Sequence, residues 1–365
     1  MPSRFSRSWP WILPGFVVIA LCAGVLTIFK VPAATGLPSK EGANRYLLFA
    51  PPLPKVLDLA SGATLGHIPS PDGSLIEYTA LAREKSSGGY LAATVVRHGA
   101  AEPRPGPRGA VSSIHRLTMD DKGVVEVQGA ISAGMEGVIR SIAVSPAGEI
   151  AYARTTADED DKLSSFAGVL GTGREWPVQE PYRLYWSDEN TLVFPFRAEP
   201  PWTLGIGPDG EKIIAGGGVL PTLDVRSGAA GTLPVPPDLT SYGMVELPDH
   251  RIIWATASRD GDEDVMSLVL YDGPTAIGTV FRATQGKIVS MTLDSTGRHL
   301  LVGHEIVRPT GTGMYDFRFD QKLVRVDLRG TSGLATPATG SRGDLALPQE
   351  VVWRGSDELV AEIAW

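Results

Sequence analysis

Two short acidic clusters are the residues of this chain whose types and spacing could do chemistry. Each cluster directly follows the second strand of a predicted hairpin, so we expect both on the same face of a repeated sheet structure. The first cluster contains the aspartates Asp158, Asp160 and Asp161 beside Glu159, and the second contains Asp260, Asp262 and Asp264 beside Glu263. Carboxylates at alternate positions can bind a hard cation such as calcium. The sequence thus predicts a binding surface here, with calcium as the candidate ion of the second cluster.

The second cluster departs from a calcium-binding EF-hand loop at two positions. Val265 stands where that loop needs glycine, and Tyr271 stands where it needs its closing glutamate. Short acidic runs are also common on solvated surfaces, where they keep a protein soluble. A solvated charged loop is therefore the interpretation that the sequence favours over a cation site.

A third loop, Arg308–Phe319, mixes arginine with aromatic residues. Arg308, Tyr315 and Phe317 are of the types that are enriched at protein interfaces. This loop also follows the second strand of its hairpin, and an ordinary long hairpin loop is the alternative interpretation. The predicted partner surface comprises the segments 83–89, 158–164, 258–265 and 308–319.

Signatures of catalysis are few in this sequence. Its histidines include no compact pair at metal-ligand spacing, and neither a zinc-type H-E-x-x-H motif nor a G-x-S-x-G nucleophile turn occurs. His250 and His299 lie in or beside predicted turns, where a histidine is usually solvated. A hydrolase or lactonase with its site in a central channel stays open as an alternative, because a catalytic triad is recognised by geometry rather than by sequence.

The elements that must position these residues are short β-strands. From Tyr46 onward, apolar and aromatic runs alternate with turn residues, and no long amphipathic helix is predicted. A first type of hairpin, with Ser, Pro, Asp or Gly in its turn, recurs at 67–82, 141–154, 184–196, 244–257, 290–303 and 351–365. A second type, with a glycine turn after Asp or a small residue, recurs at 55–68, 114–127, 222–235, 268–281 and 323–336. Two alternating hairpins predict a repeated four-stranded sheet.

The predicted fold class is all-β, a β-propeller of six blades, with seven as the alternative. Segments 46–68 and 351–365 are expected to complete one blade together, so that N- and C-terminal strands pair and close the ring. A β-sandwich also uses many short strands, but it needs no alternation of two hairpin types. Trp186, Trp254 and Trp353 fall at strand positions and are predicted to pack in blade cores.

The turn cores of two hairpins carry a resemblance to a known family. Ser70-Pro71-Asp72-Gly73 and Ser145-Pro146-Ala147-Gly148 resemble the repeat turn of bacterial TolB-type and WD-repeat-like propellers. In that family the turn links the two inner strands of a blade. The resemblance covers residues 46–365 in outline, whereas the Trp-Asp and Gly-His signatures of eukaryotic WD repeats are absent. It implies a propeller with a binding or scaffolding role, and it supplies no catalytic residues.

The N-terminal segment predicts a membrane anchor. Residues 11–29 are uncharged, and a helix of this length would span roughly 28 Å, close to the thickness of a bilayer core. Arg4 and Arg7 precede it, which favours an inside N-terminus and an exported C-terminal part. A signal peptide cleaved after Ala33 is the main alternative, and lipidation at Cys22, the single cysteine, is a weaker one.

The predicted organisation is a cytoplasmic N-terminus at 1–10, a transmembrane signal anchor at 11–31, a linker at 32–45 and an extracytoplasmic propeller at 46–365. A formal net charge of −8 argues against a nucleic-acid partner. The predicted function is that of a membrane-anchored scaffold that binds a protein or another ligand outside the cytoplasm. A propeller hydrolase is the alternative, and a secreted protein is the alternative location.

Overall fold

The computed structural model describes most of the predicted extracytoplasmic part. The described residues are 46–50, 54–71, 77–84, 89–97, 107–178, 183–194, 203–206, 212–214, 219–234, 243–260, 263–273, 275–283, 285–309, 317–332, 334, 343–356 and 362–365. They fall in one compact unit, Ser39–Trp365. The predicted segments 1–10, 11–31 and 32–45 lie outside the described residues. Within the described chain, no helix has the length and apolar character needed to cross a membrane.

The described residues form 27 strands and one short 3-10 helix, Arg329–Thr331. The first strands are β1 (Tyr46–Ala50), β2 (Lys55–Asp58), β3 (Ala63–His67), β4 (Glu77–Arg83), β5 (Tyr90–Arg97), β6 (Ala110–Met119), β7 (Val125–Ala130), β8 (Met135–Glu136) and β9 (Val138–Val144). Next come β10 (Ile150–Ala157), β11 (Leu163–Val169), β12 (Arg174–Val178), β13 (Tyr185–Trp186), β14 (Thr191–Val193), β15 (Thr203–Ile206), β16 (Lys212–Ile214), β17 (Val219–Asp224) and β18 (Ala230–Pro234). The last are β19 (Gly243–Glu246), β20 (Ile252–Asp260), β21 (Glu263–Asp272), β22 (Thr275–Ala283), β23 (Lys287–Leu293), β24 (His299–Pro309), β25 (Phe317–Asp327), β26 (Gln349–Ser356) and β27 (Glu362–Ala364).

These strands pair antiparallel in successive sheets. Sheet 1 has the order β27-β1-β2-β3, sheet 2 is β4-β5-β6-β7 with β8 also paired to β6, and sheet 3 is β9-β10-β11-β12. Sheet 4 is β13-β14-β17-β18, sheet 5 is β19-β20-β21-β22 and sheet 6 is β23-β24-β25-β26. Strands β15 and β16 form a separate two-stranded hairpin inserted in sheet 4. The prediction of an all-β propeller is confirmed, because the same antiparallel meander forms one sheet after another within a single compact unit.

The predicted number of blades needs correction. Six blades, or seven, of four strands each were expected, whereas five of the six sheets in the described chain are four-stranded blades. Sheet 2 departs from this repeat because it has five strands. Both β7 and β8 pair with β6, at residues 115–119 and 111–112 respectively. A four-strand repeat read from the sequence does not anticipate this divided outer strand.

The strands bury both faces, because each sheet packs between two others. In β24, Leu300 and Val302 belong to a core cluster shared with sheet 5, whereas Leu301 belongs to a cluster shared with sheet 1. Alternate residues of a strand point to opposite faces, so apolar runs are continuous where both faces are covered. Trp186 and Trp254 are buried in the clusters between sheets 3 and 4 and between sheets 4 and 5, as predicted for blade-core residues.

The chain termini close the circle of sheets. Leu48, Phe49 and Ala50 of β1 lie opposite residues 362–364 of β27, so the pairing of N- and C-terminal strands is as expected. The cluster that joins sheet 1 to sheet 6 includes Leu57 and Leu323, both fully buried. This pairing brings a strand from each end of the described chain into sheet 1, so that β1 lies between β27 and β2 rather than at the edge of the sheet.

Two predicted hairpins are wrong in their partners. Segment 67–82 was expected to pair two strands of one blade, but it connects β3 of sheet 1 to β4 of sheet 2. Segment 351–365 likewise connects β26 of sheet 6 to β27 of sheet 1. The second-type hairpin predicted at 323–336 has only its first strand, since β25 ends at Asp327. The strand that pairs with β25 is β26, which begins only at Gln349. Turn residues permit a chain reversal but do not specify which strands will pair across it.

Burial between sheets 1 and 6 predicts a large difference between two identical substitutions. Leu57→Ala removes a fully buried side chain, and we expect the free energy of unfolding to fall by about 2–5 kcal/mol. Leu65→Ala, in the same sheet but 46% exposed, should change it by no more than about 0.5 kcal/mol. Urea titration of both variants measures the difference, and equal destabilisation would contradict the described packing.

Candidate functional site

A cavity of about 440 Å³ lies where the first strands of the six sheets end. We call it the channel mouth. Its walls come from the ends of β4, β9, β13, β19, β23 and β27 and from the turns that follow them. The apolar contribution includes Trp186, Met244, Leu293 and Trp365. Arg83, Glu246, His250 and Asp294 are its ionisable residues. The ring geometry thus assembles one site from residues far apart in the sequence.

Methionines make part of this wall adaptable. Met244 of sheet 5 and Met291 of the neighbouring sheet 6 both line the cavity. Methionine has three rotatable bonds and a polarisable sulfur, so it can follow the shape of different apolar groups. Tyr185 and Trp186 add rigid aromatic surface with a polar edge. Such a lining can hold an apolar group while the charged residues fix its orientation.

Tight turns carry the polar residues of the channel mouth. In three of these turns the backbone N–H of the fourth residue donates a hydrogen bond to the carbonyl oxygen of the first residue. The donors are Gly148, His250 and Gly297. All three have left-handed backbone angles, with φ of +89°, +66° and +67°. Glycine adopts this conformation without strain, whereas a side chain disfavours it. His250 therefore occupies a position at which the equivalent turns use glycine.

The side chain of His250 stands at the rim of the cavity. It is 89% exposed, and its Nδ1 lies 2.7 Å from Oε1 of Glu246, four residues earlier. Glu246 is the last residue of β19, so its contact with His250 joins the end of the first strand of sheet 5 to the turn that follows this strand. A contact between polar side chains at the protein surface contributes little to stability. The unfavourable backbone angle of His250 thus receives no large compensation from the contacts described, which points to use of its side chain.

Asp294 organises the equivalent turn of sheet 6. Its Oδ1 accepts hydrogen bonds from the backbone N–H groups of Arg298 at 2.9 Å and His299 at 3.1 Å. Its Oδ2 accepts one from the Thr296 hydroxyl at 2.8 Å and lies 3.0 Å from Nδ1 of His299. Burial by itself would raise the pKa of Asp294, but these bonds from His299 and Thr296 outweigh it and lower the pKa. The carboxylate is held ionised in the turn.

The pair of Asp294 and His299 resembles half of a catalytic triad. The His299 ring also lies 6.2 Å from the ring of Trp365, measured between centroids. Among the described residues, no hydroxyl group is hydrogen-bonded to Nε2 of His299, and both oxygens of Asp294 already serve the turn. A nucleophile activated by this histidine is therefore not part of the described geometry.

The first acidic cluster forms a tight turn between β10 and β11. Oδ1 of Asp158 accepts the backbone N–H groups of Asp160 at 3.0 Å and Lys162 at 2.8 Å. Asp161 adopts a left-handed φ of +60° and lies 3.4 Å from Arg108 through its carboxylate. Asp158 thus shapes the turn, an established role of aspartate. The proposal that this cluster binds a partner stays a prediction.

The other predicted site residues fall in two hairpins. Asp260 lies opposite Glu263 and Asp264 lies opposite Arg259, at the ends of β20 and β21. Asp262 and Tyr315 lie outside the described residues, so the calcium prediction stays untested. Phe317 begins β25. Arg308 is exposed, and its Nε lies 2.9 Å from Oδ2 of Asp320.

The predicted partner surface is divided between two faces. Segments 158–164, 258–265 and 308–319 follow second strands, whereas 83–89 follows the first strand β4 and leads into β5. Successive loops of an antiparallel sheet lie at opposite ends of its strands. Arg83, at the end of β4, therefore lies at the channel mouth, and its assignment to the surface of the acidic loops is corrected; residues 85–88 lie outside the described residues. In the described part of the chain, no group of three acidic, histidine or cysteine residues could hold a metal ion.

Comparison with known proteins finds weak structural similarities and no similarity in sequence. No protein-family model matches the chain, and no curated protein is similar to it in sequence. A Bacteroides caccae protein of unknown function is 12% identical over 87% of this chain and 97% of its own, with a TM-score of 0.47. An Agrobacterium tumefaciens protein provisionally named TolB is 12% identical over 87% and 91%, with a TM-score of 0.46. A Bacteroides uniformis protein provisionally named 6-phosphogluconolactonase is 10% identical over 84% and 100%, with a TM-score of 0.36. None of these similarities is strong enough to carry an argument about function.

Asp294 predicts a pH-dependent contribution to stability. Its pKa is lowered in the folded state, so its contribution is complete above the unfolded value of about 3.9 and is lost as pH falls through the lower folded value. Asp294→Asn keeps one acceptor but removes the charge, and we expect it to cost about 1–3 kcal/mol at pH 7.

Urea titrations of the wild type and Asp294→Asn from pH 7 down to pH 3 measure this contribution. The difference in the free energy of unfolding between the two proteins should shrink as pH falls below about 4. A difference that does not vary with pH would show that the ionised carboxylate is not what stabilises the turn.

Proposed function

We propose that this chain is a membrane-anchored, extracytoplasmic binding module that holds a segment of a protein partner at the channel mouth. The observation that carries this proposal is His250, which occupies a left-handed backbone position at the rim although equivalent turns use glycine. Residues kept in such positions cluster at functional sites, where their side chains are needed. The ring places this residue beside a cavity rather than on an isolated loop.

The size and chemistry of the cavity support a protein segment as the occupant. Its volume of about 440 Å³ falls within the range of roughly 300–1,000 Å³ that ligand sites have. Met244, Met291 and Trp186 offer an apolar surface to a side chain of the partner, and Arg83 and Glu246 offer both signs of charge at the rim. A peptide supplies apolar and polar groups together, and interfaces combine an apolar centre with a polar rim in this way.

A hydrolase with its site in the channel is the second candidate. The specific observation in its favour is the pair of Asp294 and His299 beside the channel mouth. In a triad, the acidic residue orients a histidine that removes a proton from a nucleophile. Because Asp294 also holds Thr296 and two backbone N–H groups, the contacts of this pair are accounted for by the turn. The binding function is therefore preferred.

The membrane location rests on the sequence of residues 11–31. We expect the full chain to remain with membranes after alkaline carbonate extraction, because a span of this length inserts stably. A variant that lacks residues 2–31 should be released or remain in the cytoplasm. N-terminal sequencing of the mature protein separates the alternatives: an intact N-terminus supports the anchor, whereas a new N-terminus at Ala34 would contradict it.

Site-specific crosslinking tests the face on which the partner binds. Cys22 is the single cysteine, so Cys22→Ser allows one new cysteine to carry a photo-crosslinker. We expect a crosslinker at position 295, an exposed residue of the channel mouth, to capture a protein partner in membranes while His250 stays in place. The control is position 163, since Leu163 is 49% exposed beside the acidic turn of β10 and β11. Capture from position 163 alone would place the partner on the acidic face instead.

The backbone strain at His250 gives the same proposal a second readout. His250→Gly should leave the free energy of unfolding unchanged or raise it by up to about 1 kcal/mol, because glycine fits the left-handed position. It should also reduce recovery of the partner by affinity purification severalfold. If the His250→Gly variant is stable and recovers as much partner as the wild type, the His250 side chain is not used for binding.

A further inference from the structure

A second cavity, of about 380 Å³, lies on one side of sheet 6, and four of its nine lining residues are lysine or arginine. We call it the basic cavity. The residues that matter for its chemistry are His304, Arg308, Arg318, Asp320, Lys322 and Arg354. In β24 the even-numbered residues Leu300 and Val302 pack toward sheet 5, so His304 and Arg308 face the same way. The basic cavity shares no lining residue with the channel mouth.

Three residues form a row across three neighbouring strands of sheet 6. His304 lies directly opposite Lys322, and Lys322 lies directly opposite Arg354. Side chains at opposed positions of an antiparallel pair lie on one face, with Cβ atoms about 5 Å apart. Like charges at such positions repel each other and destabilise a sheet. The fold therefore holds two cations together at a position where an unliganded protein gains nothing from them.

Among the described residues, the neighbouring charges do not offset this repulsion. Asp320 is the acidic residue of the basic cavity, and it lies 2.9 Å from Nε of Arg308 and 3.1 Å from Nε of Arg318. Within the described chain, no carboxylate forms an ion pair with Lys322 or Arg354. Burial, followed by the charge of Arg354, lowers the pKa of Lys322. An anion in the cavity would relieve both effects.

His304 adds a polar wall without adding charge. It is buried, its Nε2 lies 2.5 Å from the carbonyl oxygen of Gln285, and its ring meets the edge of Phe281 with centroids 6.3 Å apart. A carbonyl oxygen can only accept, so Nε2 carries the proton. Burial lowers the pKa of His304, which favours the neutral ring at pH 7. The net positive charge of the cavity therefore comes from its lysine and arginines.

We propose that the basic cavity binds a phosphate-type oxyanion between Lys322 and Arg354. Two opposed cations match the two negative charges of a phosphoryl group, and its tetrahedral oxygens can accept from an ammonium and a guanidinium at once. Arg308 and Arg318 each use Nε on Asp320, so their terminal N–H groups can extend the site toward a larger anion. A free phosphate compound or the phosphate of a lipid headgroup would present the same chemistry. This site is separate from the proposed partner site, and either can fail without the other.

Thermal unfolding of the full chain in a non-ionic detergent tests the proposal, with inorganic phosphate as the probe and sodium chloride to hold ionic strength constant. We expect phosphate to raise the unfolding temperature of the wild type. Lys322→Gln and Arg354→Gln should each weaken the affinity about tenfold or more, because each removes a charged hydrogen-bond donor. Lys122→Gln, at the exposed turn between β6 and β7, loses the same charge elsewhere and should bind phosphate as the wild type does.

The unliganded variants separate binding from a structural role. Removing one of two repelling charges should leave the stability of Lys322→Gln equal to or above that of the wild type, although its phosphate response is lost. Detergent micelles doped with phosphatidylglycerol form the second arm: a response to them alone assigns the site to a lipid headgroup, and a response to phosphate assigns it to a soluble phosphate. Either response supports the site if both glutamine variants lose it. The proposal would be overturned if the wild type responded to neither probe, or if both glutamine variants responded as strongly as the wild type.

Discussion

Pairing of β1 with β27 is the interaction on which the rest of the structure depends. It is short, from Leu48 opposite Ala364 to Ala50 opposite Glu362, and it is reinforced by an apolar cluster between sheets 1 and 6 that includes Leu57 and Trp365. Each other sheet is built from strands close in sequence, whereas this one needs both ends of the described chain. Without it β1 would be the edge strand of sheet 1, and an exposed edge strand is prone to pair with another chain and aggregate.

The channel mouth exists because that circle closes. Its residues come from strand ends as distant in sequence as Arg83 and Met291, and neither is near the other until all the sheets are in place. Stability and site are thus linked, since a change at the join between sheets 1 and 6 acts on every wall of the cavity. His250 lowers the stability of its turn, because a left-handed backbone favours glycine over a residue with a side chain. Its exposed contact with Glu246 offsets little of this cost. The basic cavity depends less on closure, because sheet 6 supplies the row of His304, Lys322 and Arg354 by itself.

The sequence predicted the strands and turns well because both are local properties. The turn at Ser145 joins two strands of one sheet as expected, whereas the similar turn at Ser70 lies between two sheets. The same residues reverse a chain in both cases, and only distant pairing decides the difference. The carboxylate of Asp158 caps the turn that contains it, a local role that its sequence position after a strand did not reveal, and the prediction that it binds a partner stays a prediction. One signal could have found His250: in aligned hairpins it stands where Gly148 and Gly297 stand. The cavities themselves could not be predicted, since no single segment contains them.

Hydrogen exchange of the full chain, alone and in the complex captured from membranes, tests the central claim most directly. The claim is that the partner occupies the channel mouth, at the end of the sheets where the first strands finish. The backbone N–H groups of the turns at 145–149, 247–251 and 294–298 should then exchange more slowly in the complex, and those of the acidic turn at 158–162 should not change. Protection confined to residues 158–162 and the neighbouring second-strand loops would contradict the account.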